Sequence, residues 1–89
     1  MRTNKQLERI IKGFANHRRI EILLFLEEHP ESSLVEITER LEINFRTSSE
    51  HVRKLSLANL IMKRYEGNFV RHALTPTGRS ALKFLRTLE

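Results

Sequence analysis

Residues 36–75, EITERLEINFRTSSEHVRKLSLANLIMKRYEGNFVRHALT, constrain this chain more than any other part. Ser33 and Glu36 have the spacing of a capping box, which opens a short helix with Leu34, Ile37 and Leu41 turned inward. Glu42-Ile43-Asn44 is a tight polar turn, and Asn44 is placed to cap the next helix. At about 100° per residue, Phe45, Val52 and Leu55 cluster on one side of that helix. Arg46, Thr47, Glu50, Arg53 and Lys54 point to the other. Asn59 tolerates the left-handed conformation that ends a helix. Residues 61–65 and 69–74 then read as strands around Gly67-Asn68, a hairpin signal.

Two short helices meeting at a tight turn, with a hairpin directly after them, have the layout of a winged helix-turn-helix. The expected class is mainly α with a small β-hairpin, about five helices plus a two-stranded wing. The flanks fit it. Thr3-Asn4-Lys5-Gln6 is a capping box, followed by Leu7, Ile10, Ile11 and Phe14 at helical spacing and an end near Gly13. Asn16 caps a second helix through Ile20, Leu23 and Leu24 that stops before Pro30 and forms the centre of the core. Glu27 and Glu28 lie at its end, unfavourably against the helix dipole. Thr75-Pro76 opens a last helix with Ala81, Leu82, Leu85 and Leu88 on one face and Phe84 beside it. No linker or repeat divides the chain, so residues 1–89 are expected to form one domain.

The net charge of +5 conceals an asymmetry. Residues 27–42 hold six acids and one base, whereas residues 43–86 hold nine bases and two acids. The basic stretch covers the second helix of the pair and the hairpin, where phosphate contacts would be needed, although charge runs also serve simply to solvate a face. No apolar run approaches the ~18 residues of a membrane span, and residues 1–15 lack a secretory signal. With no cysteine, disulfides and thiolate metal sites are excluded. An intracellular, cytoplasmic protein associated with a prokaryotic-type nucleoid is expected. No phosphate-binding glycine loop, zinc spacing or nucleophile elbow is present. Ser49-Glu50-His51 diverge around a helix and cannot form a relay, so enzymatic function is not expected.

Several segments resemble winged-helix transcriptional regulators of the ArsR and MarR type. Residues 14–23, FANHRRIEIL, are similar to the ArsR pattern L-x-D-P-T-R-x-x-I-L, with Arg19 matching its arginine and Asn16 its capping acid. Residues 47–55, TSSEHVRKL, are similar to the reading-helix pattern T-V-S-R-H-L-K-x-L. Ala58-Asn59-Leu60-Ile61 matches A-G-L-V, and residues 74–79, LTPTGR, match the MarR and PadR ending L-T-P-x-G-R. Each motif is weak alone; their order and spacing over residues 10–85 are specific. The resemblance implies a homodimer with the first and last helices at its interface: Leu7, Ile10, Ile11, Phe14, Leu82, Leu85 and Leu88. Alternatively, both stripes pack on their own core. The chain also departs from the pattern. Glu50 stands where a base-reading Arg or Lys is usual; a carboxylate there repels phosphate and can accept from cytosine N4. Ser48 replaces a buried aliphatic residue, Glu42 a turn glycine, and Leu57 is unexpected on the outward face. Metal-sensing members use Cys pairs, or His and carboxylates in the last helix. This chain has neither, so no metal or other cofactor is expected.

The expected function is sequence-specific binding of double-stranded DNA by a homodimer that regulates transcription. Asn44, Arg46 and Thr47 would meet phosphates and base edges, Ser49, Glu50 and Arg53 would lie deeper in the groove, and Lys54 would reach the backbone. Lys63, Arg64, Asn68 and Arg71 of the wing would grip the flanking minor groove. The alternatives are a winged-helix protein–protein assembly module, docking through Leu57 and the end helices, or a non-specific architectural DNA binder.

Overall fold

The computed structural model describes residues 1–89. Helices α1 (Asn4–Phe14), α2 (His17–Glu28), α3 (Leu34–Arg40) and α4 (Phe45–Leu57) precede strands β1 (Ile61–Glu66) and β2 (Phe69–Leu74), and α5 (Pro76–Arg86) follows. The winged helix-turn-helix is therefore present, with five helices and one antiparallel hairpin. Local chemistry explains most boundaries. Thr3 and Ser33 close capping boxes with Gln6 and Glu36, Asn16 and Asn44 each accept two backbone N–H groups, and Thr75 precedes proline at the first turn of α5. Gly67 supplies the positive φ of the hairpin turn.

Helices α3 and α4 end in the same way. Glu42 and Asn59 both adopt positive φ, and the following amides reach back five residues: Ile43 N–H to the Thr38 carbonyl, Leu60 N–H to that of Leu55. This is the Schellman closure, which normally takes glycine at the left-handed position. The closure at Asn59 is buttressed from both sides. An added Cβ on Gly13 of α1 would lie 2.5 Å from the Ala58 Cβ, and one on Gly78 of α5 would lie 2.1 Å from the Leu60 carbonyl oxygen. Only glycine allows either helix to approach so closely.

The core centres on α2, as expected, through Ile22, Leu23 and Leu26, joined by Ile37, Val52, Leu55, Leu60, Ile61 and Leu82. Several expectations need correction. Helix α1 runs one residue further, to Phe14, and β1 one further, to Glu66. Leu24 is exposed on the outer side of α2. Phe45 has the right helical angle to face inward, yet it is 55% exposed because it sits in the first turn, beyond the buried layer. Ser48 occupies that layer instead, fully buried. Thr38 Oγ1 donates to the Leu34 carbonyl at 2.7 Å and lies 2.8 Å from Ser48 Oγ. With the one Thr38 hydroxyl proton spent on that carbonyl, Ser48 must donate to Thr38, so both hydroxyls are satisfied. A polar bond thus joins α3 to α4 where an aliphatic contact is usual. Glu27, at the unfavourable end of α2, is bonded by Arg86 of α5.

Two histidines bind neighbouring elements together in their neutral form. His72 is 2% exposed; its Nδ1 donates to the Ser32 carbonyl at 2.9 Å, beside the bridge that pairs β2 with Ser32. Burial holds its pKa below the usual histidine range, outweighing that hydrogen bond. His51 Nδ1 accepts from Arg19 Nε at 3.2 Å, and burial, then Arg19 and Lys54, lowers its pKa as well.

Glu42→Gly should raise stability by up to ~1 kcal/mol by relieving the left-handed strain, as read by chemical denaturation. For His51 and His72 the folded state disfavours the proton. The associated stability is complete above the ordinary histidine value of about 6.5 and is lost as pH falls from there through the depressed folded-state values. The thermal midpoint should therefore drop between pH 7.5 and 5.5, and His51→Gln and His72→Gln should each flatten that drop.

Candidate nucleic-acid interface

Helix α4 presents its outer face without cover. Asn44, at its N-cap, is exposed, but its Oδ1 is committed to the Arg46 and Thr47 amides at 3.0 and 3.2 Å, leaving only its amide N–H groups for a ligand. Arg46 and Thr47 follow in the first turn, both exposed, and Arg46 makes no ion pair. Glu50 and Arg53 form a bidentate pair one turn on, Nε to Oε2 at 3.1 Å and Nη2 to Oε1 at 2.5 Å. The guanidinium holds the Glu50 carboxyl below the usual carboxylate range. Lys54 is exposed and unpaired.

The wing residues divide by the alternation of the strands. Cross-strand pairs Lys63↔His72 and Tyr65↔Val70 share one face; Arg64↔Arg71 and Glu66↔Phe69 share the other. Lys63, Val70 and His72 line a cleft with Ser49 and Arg53 of α4, so Lys63 faces the reading helix. Arg64 and Arg71 sit on the opposite face. Arg64 bonds Glu31 at 2.7 Å and Glu66 at 3.3 Å, while Arg71 bonds Glu66 at 3.1 Å and the Glu31 carbonyl at 3.2 Å. Asn68 is exposed at the hairpin tip. Of the six bases expected at the interface, Arg46, Lys54 and Lys63 stay unpaired, while Arg53, Arg64 and Arg71 are tied to carboxylates.

The residues expected between subunits also divide. Phe14 and Leu82 are buried in the core of the single chain, and Ile10 and Leu85 are half-buried against it; these four pack inward because α1 and α5 cover the core. Leu7 and Ile11 on α1, Phe84 on α5 and Leu88 are exposed. Leu88 lies past the last residue of α5.

In sequence Arg19 is marked only by its motif match; its contacts join residues far apart in the chain. Its Nη1 donates to the Lys12 and Gly13 carbonyls at the end of α1, while its Nε holds His51 on α4. It therefore fixes the reading helix against α1. His17 and His29 lie at opposite ends of α2, His51 on α4 and His72 on β2, and no three His, Asp or Glu side chains converge on a common point. No helix is long and apolar enough to cross a membrane.

No protein-family model matches the chain, and no curated protein matches it by sequence. Solved structures do. HlyU from Vibrio cholerae N16961 superposes with a TM-score of 0.82 at 29% identity, covering 99% of this chain and 97% of that one. The transcriptional regulator HlyU from Vibrio vulnificus CMCP6 gives a TM-score of 0.76 at 27% identity over 94% and 88%. A homodimeric winged helix-turn-helix DNA-binding domain from Mycobacterium bovis, from a possible ArsR-family transcriptional regulator, gives 0.81 at 26% identity over 94% and 77%. The chain thus has the winged helix-turn-helix fold of the ArsR-type transcriptional regulators and resembles them along nearly its whole length.

Proposed function

We propose that this chain is a sequence-specific double-stranded DNA-binding regulator of transcription that acts as a homodimer and not as an enzyme. Helix α4 enters the major groove and the wing lies on flanking DNA. The observation that carries this reading is the uncovered face of α4. A capped N-terminus presents Arg46 and Thr47, and a cleft beside it brings Ser49 and Arg53 together with Lys63 of the wing. The likeness to a homodimeric DNA-binding domain and to HlyU supports it. The exposure of Leu7, Ile11, Phe84 and Leu88 supports association of two chains through α1 and α5. The remaining wing residues, Arg64, Arg71 and Asn68, are placed to touch DNA only at the hairpin edge.

The Glu50–Arg53 pair refines the reading. Glu50 occupies the Nε–Nη2 edge of the guanidinium and leaves the outward Nη1 and Nη2 protons free as a parallel pair of donors. Its positive charge is largely offset, which weakens attraction to phosphate, but the fork keeps its shape. Guanine alone offers two adjacent acceptors, O6 and N7, in the major groove. Glu50 then positions Arg53 to read guanine instead of contacting a base itself.

Selection of bound duplexes from a random-sequence pool at near-physiological salt tests both statements. The expected product is an inverted repeat with half-sites about one helical turn apart, holding a guanine that Arg53→Ala ceases to select. Glu50→Ala should relax the same position by roughly 1–3 kcal/mol while leaving the others unchanged. Loss of a cytosine preference instead would show Glu50 reading a base directly. Recovery without enrichment would mean an architectural binder. No recovery would favour a protein-docking module, a reading that Leu57, 69% exposed, would then serve.

A further inference from the structure

A groove runs behind the reading helix, between the second half of α1, the start of α2 and the last turn of α4. Arg9, Lys12, Arg19 and Lys54 line it around Leu57, and no carboxylate does. At Lys54 it continues into the hollow over the first turns of α4, and at Arg9 and Leu57 into another that reaches Arg2. We propose that this groove is a second phosphate-binding surface. It would hold the DNA backbone that passes the C-terminal end of the reading helix, on the side facing the middle of the operator. The proposal rests on the DNA-binding reading above, shares Lys54 with it, and adds Arg9, Lys12 and Arg19, which that reading does not use.

Three observations support it. The first is charge. The wing arginines and Arg53 are paired with Glu31, Glu66 and Glu50, whereas Arg9, Arg19 and Lys54 of the groove make no ion pair. The fourth groove cation, Lys12, meets only Glu8, at 3.8 Å, a longer contact than those of Arg53, Arg64 and Arg71. Arg19 spends Nε and Nη1 on His51 and the α1 carbonyls, and its Nη2 makes no hydrogen bond.

The second is length. From Arg46 to Leu57 the helix rises about 16 Å at 1.5 Å per residue, whereas the major groove is about 12 Å wide. A helix seated with its N-terminal turns on the bases therefore runs out against a phosphate wall. Its carboxyl end carries partial negative charge and would be repelled there without cations. Arg9, Lys12, Arg19 and Lys54 supply them.

The third is construction. α1 can lie against the end of α4 only because Gly13 has no side chain to strike Ala58, so the groove depends on a specific close approach. An exposed leucine among cations also suits a sugar–phosphate chain, whose deoxyribose offers an apolar face.

The test uses the full chain and its selected duplex, with affinity measured against salt. Arg9→Gln with Lys12→Gln changes two exposed side chains outside α4, and an unchanged thermal midpoint verifies the fold. Each phosphate contact contributes about 0.9 to the slope of log K against log salt. A dimer losing two contacts per subunit should lose up to ~3.6 of that slope, with affinity at ~150 mM salt falling on the order of tenfold to a thousandfold. The selected sequence should not change. Lys83→Gln, on α5 outside the groove, should keep the wild-type slope. An unaltered slope in the double variant would overturn the proposal and leave the cations as counter-charges for the ends of α1 and α4. An equal loss per charge with Lys83→Gln would overturn it as a net-charge effect. Wild-type binding that does not depend on salt would contradict the DNA-binding reading itself.

Discussion

Asn59 closes α4 in the left-handed conformation, and the placement of the wing relative to α4 depends on that closure. The Leu60 amide returns to the Leu55 carbonyl, which sets where the reading helix stops and where β1 departs. Thr75 then binds the segment from the far end of the hairpin, its hydroxyl to the Asn59 carbonyl at 2.7 Å and its amide to that of Leu60 at 3.2 Å. Gly13 brings α1 against Ala58 and Leu60, and Gly78 brings α5 against Leu60 and Leu74, so both helices close on Leu60. The angle between reading helix and wing is thus held by short backbone bonds under two helices, in a chain whose core is thin for its length.

Much of the fold was legible because it is written in local chemistry. Caps at Thr3, Asn16, Ser33, Asn44 and Thr75, the Gly67 turn and the left-handed Asn59 each act within a few residues, and all stand where the sequence predicts. Interactions between distant residues were not legible. Arg64 meets Glu31 across 33 positions, so a run of bases that looks free in sequence is half offset in space. The polar bond from Thr38 to Ser48 is likewise invisible to periodicity, which placed Phe45 in the core instead. Phe14 and Leu82 belong to stripes broad enough to serve a core and a second surface together, and spacing alone could not divide them.

These pairings change the electrostatic character of the candidate interface. A net charge of +5 suggests a broadly cationic face, but of the bases expected at the interface only Arg46, Lys54 and Lys63 make no ion pair, joined in the groove behind α4 by Arg9 and Arg19. Between them lies the Glu50–Arg53 pair, nearly neutral and geometrically defined. That distribution suits a protein whose phosphate contacts flank a base-reading centre, since phosphates set register and base edges supply specificity.

Hydrogen exchange of the full chain, with and without its selected duplex, would map the DNA-covered surface. DNA should slow exchange at the start of α4, at Lys63 on the wing and along the end of α1. Exposed parts of α2 and the α2–α3 connection around Glu31 should be unchanged. Protection confined to the outer sides of α1 and α5, with α4 exchanging as in the free protein, would contradict DNA binding through α4.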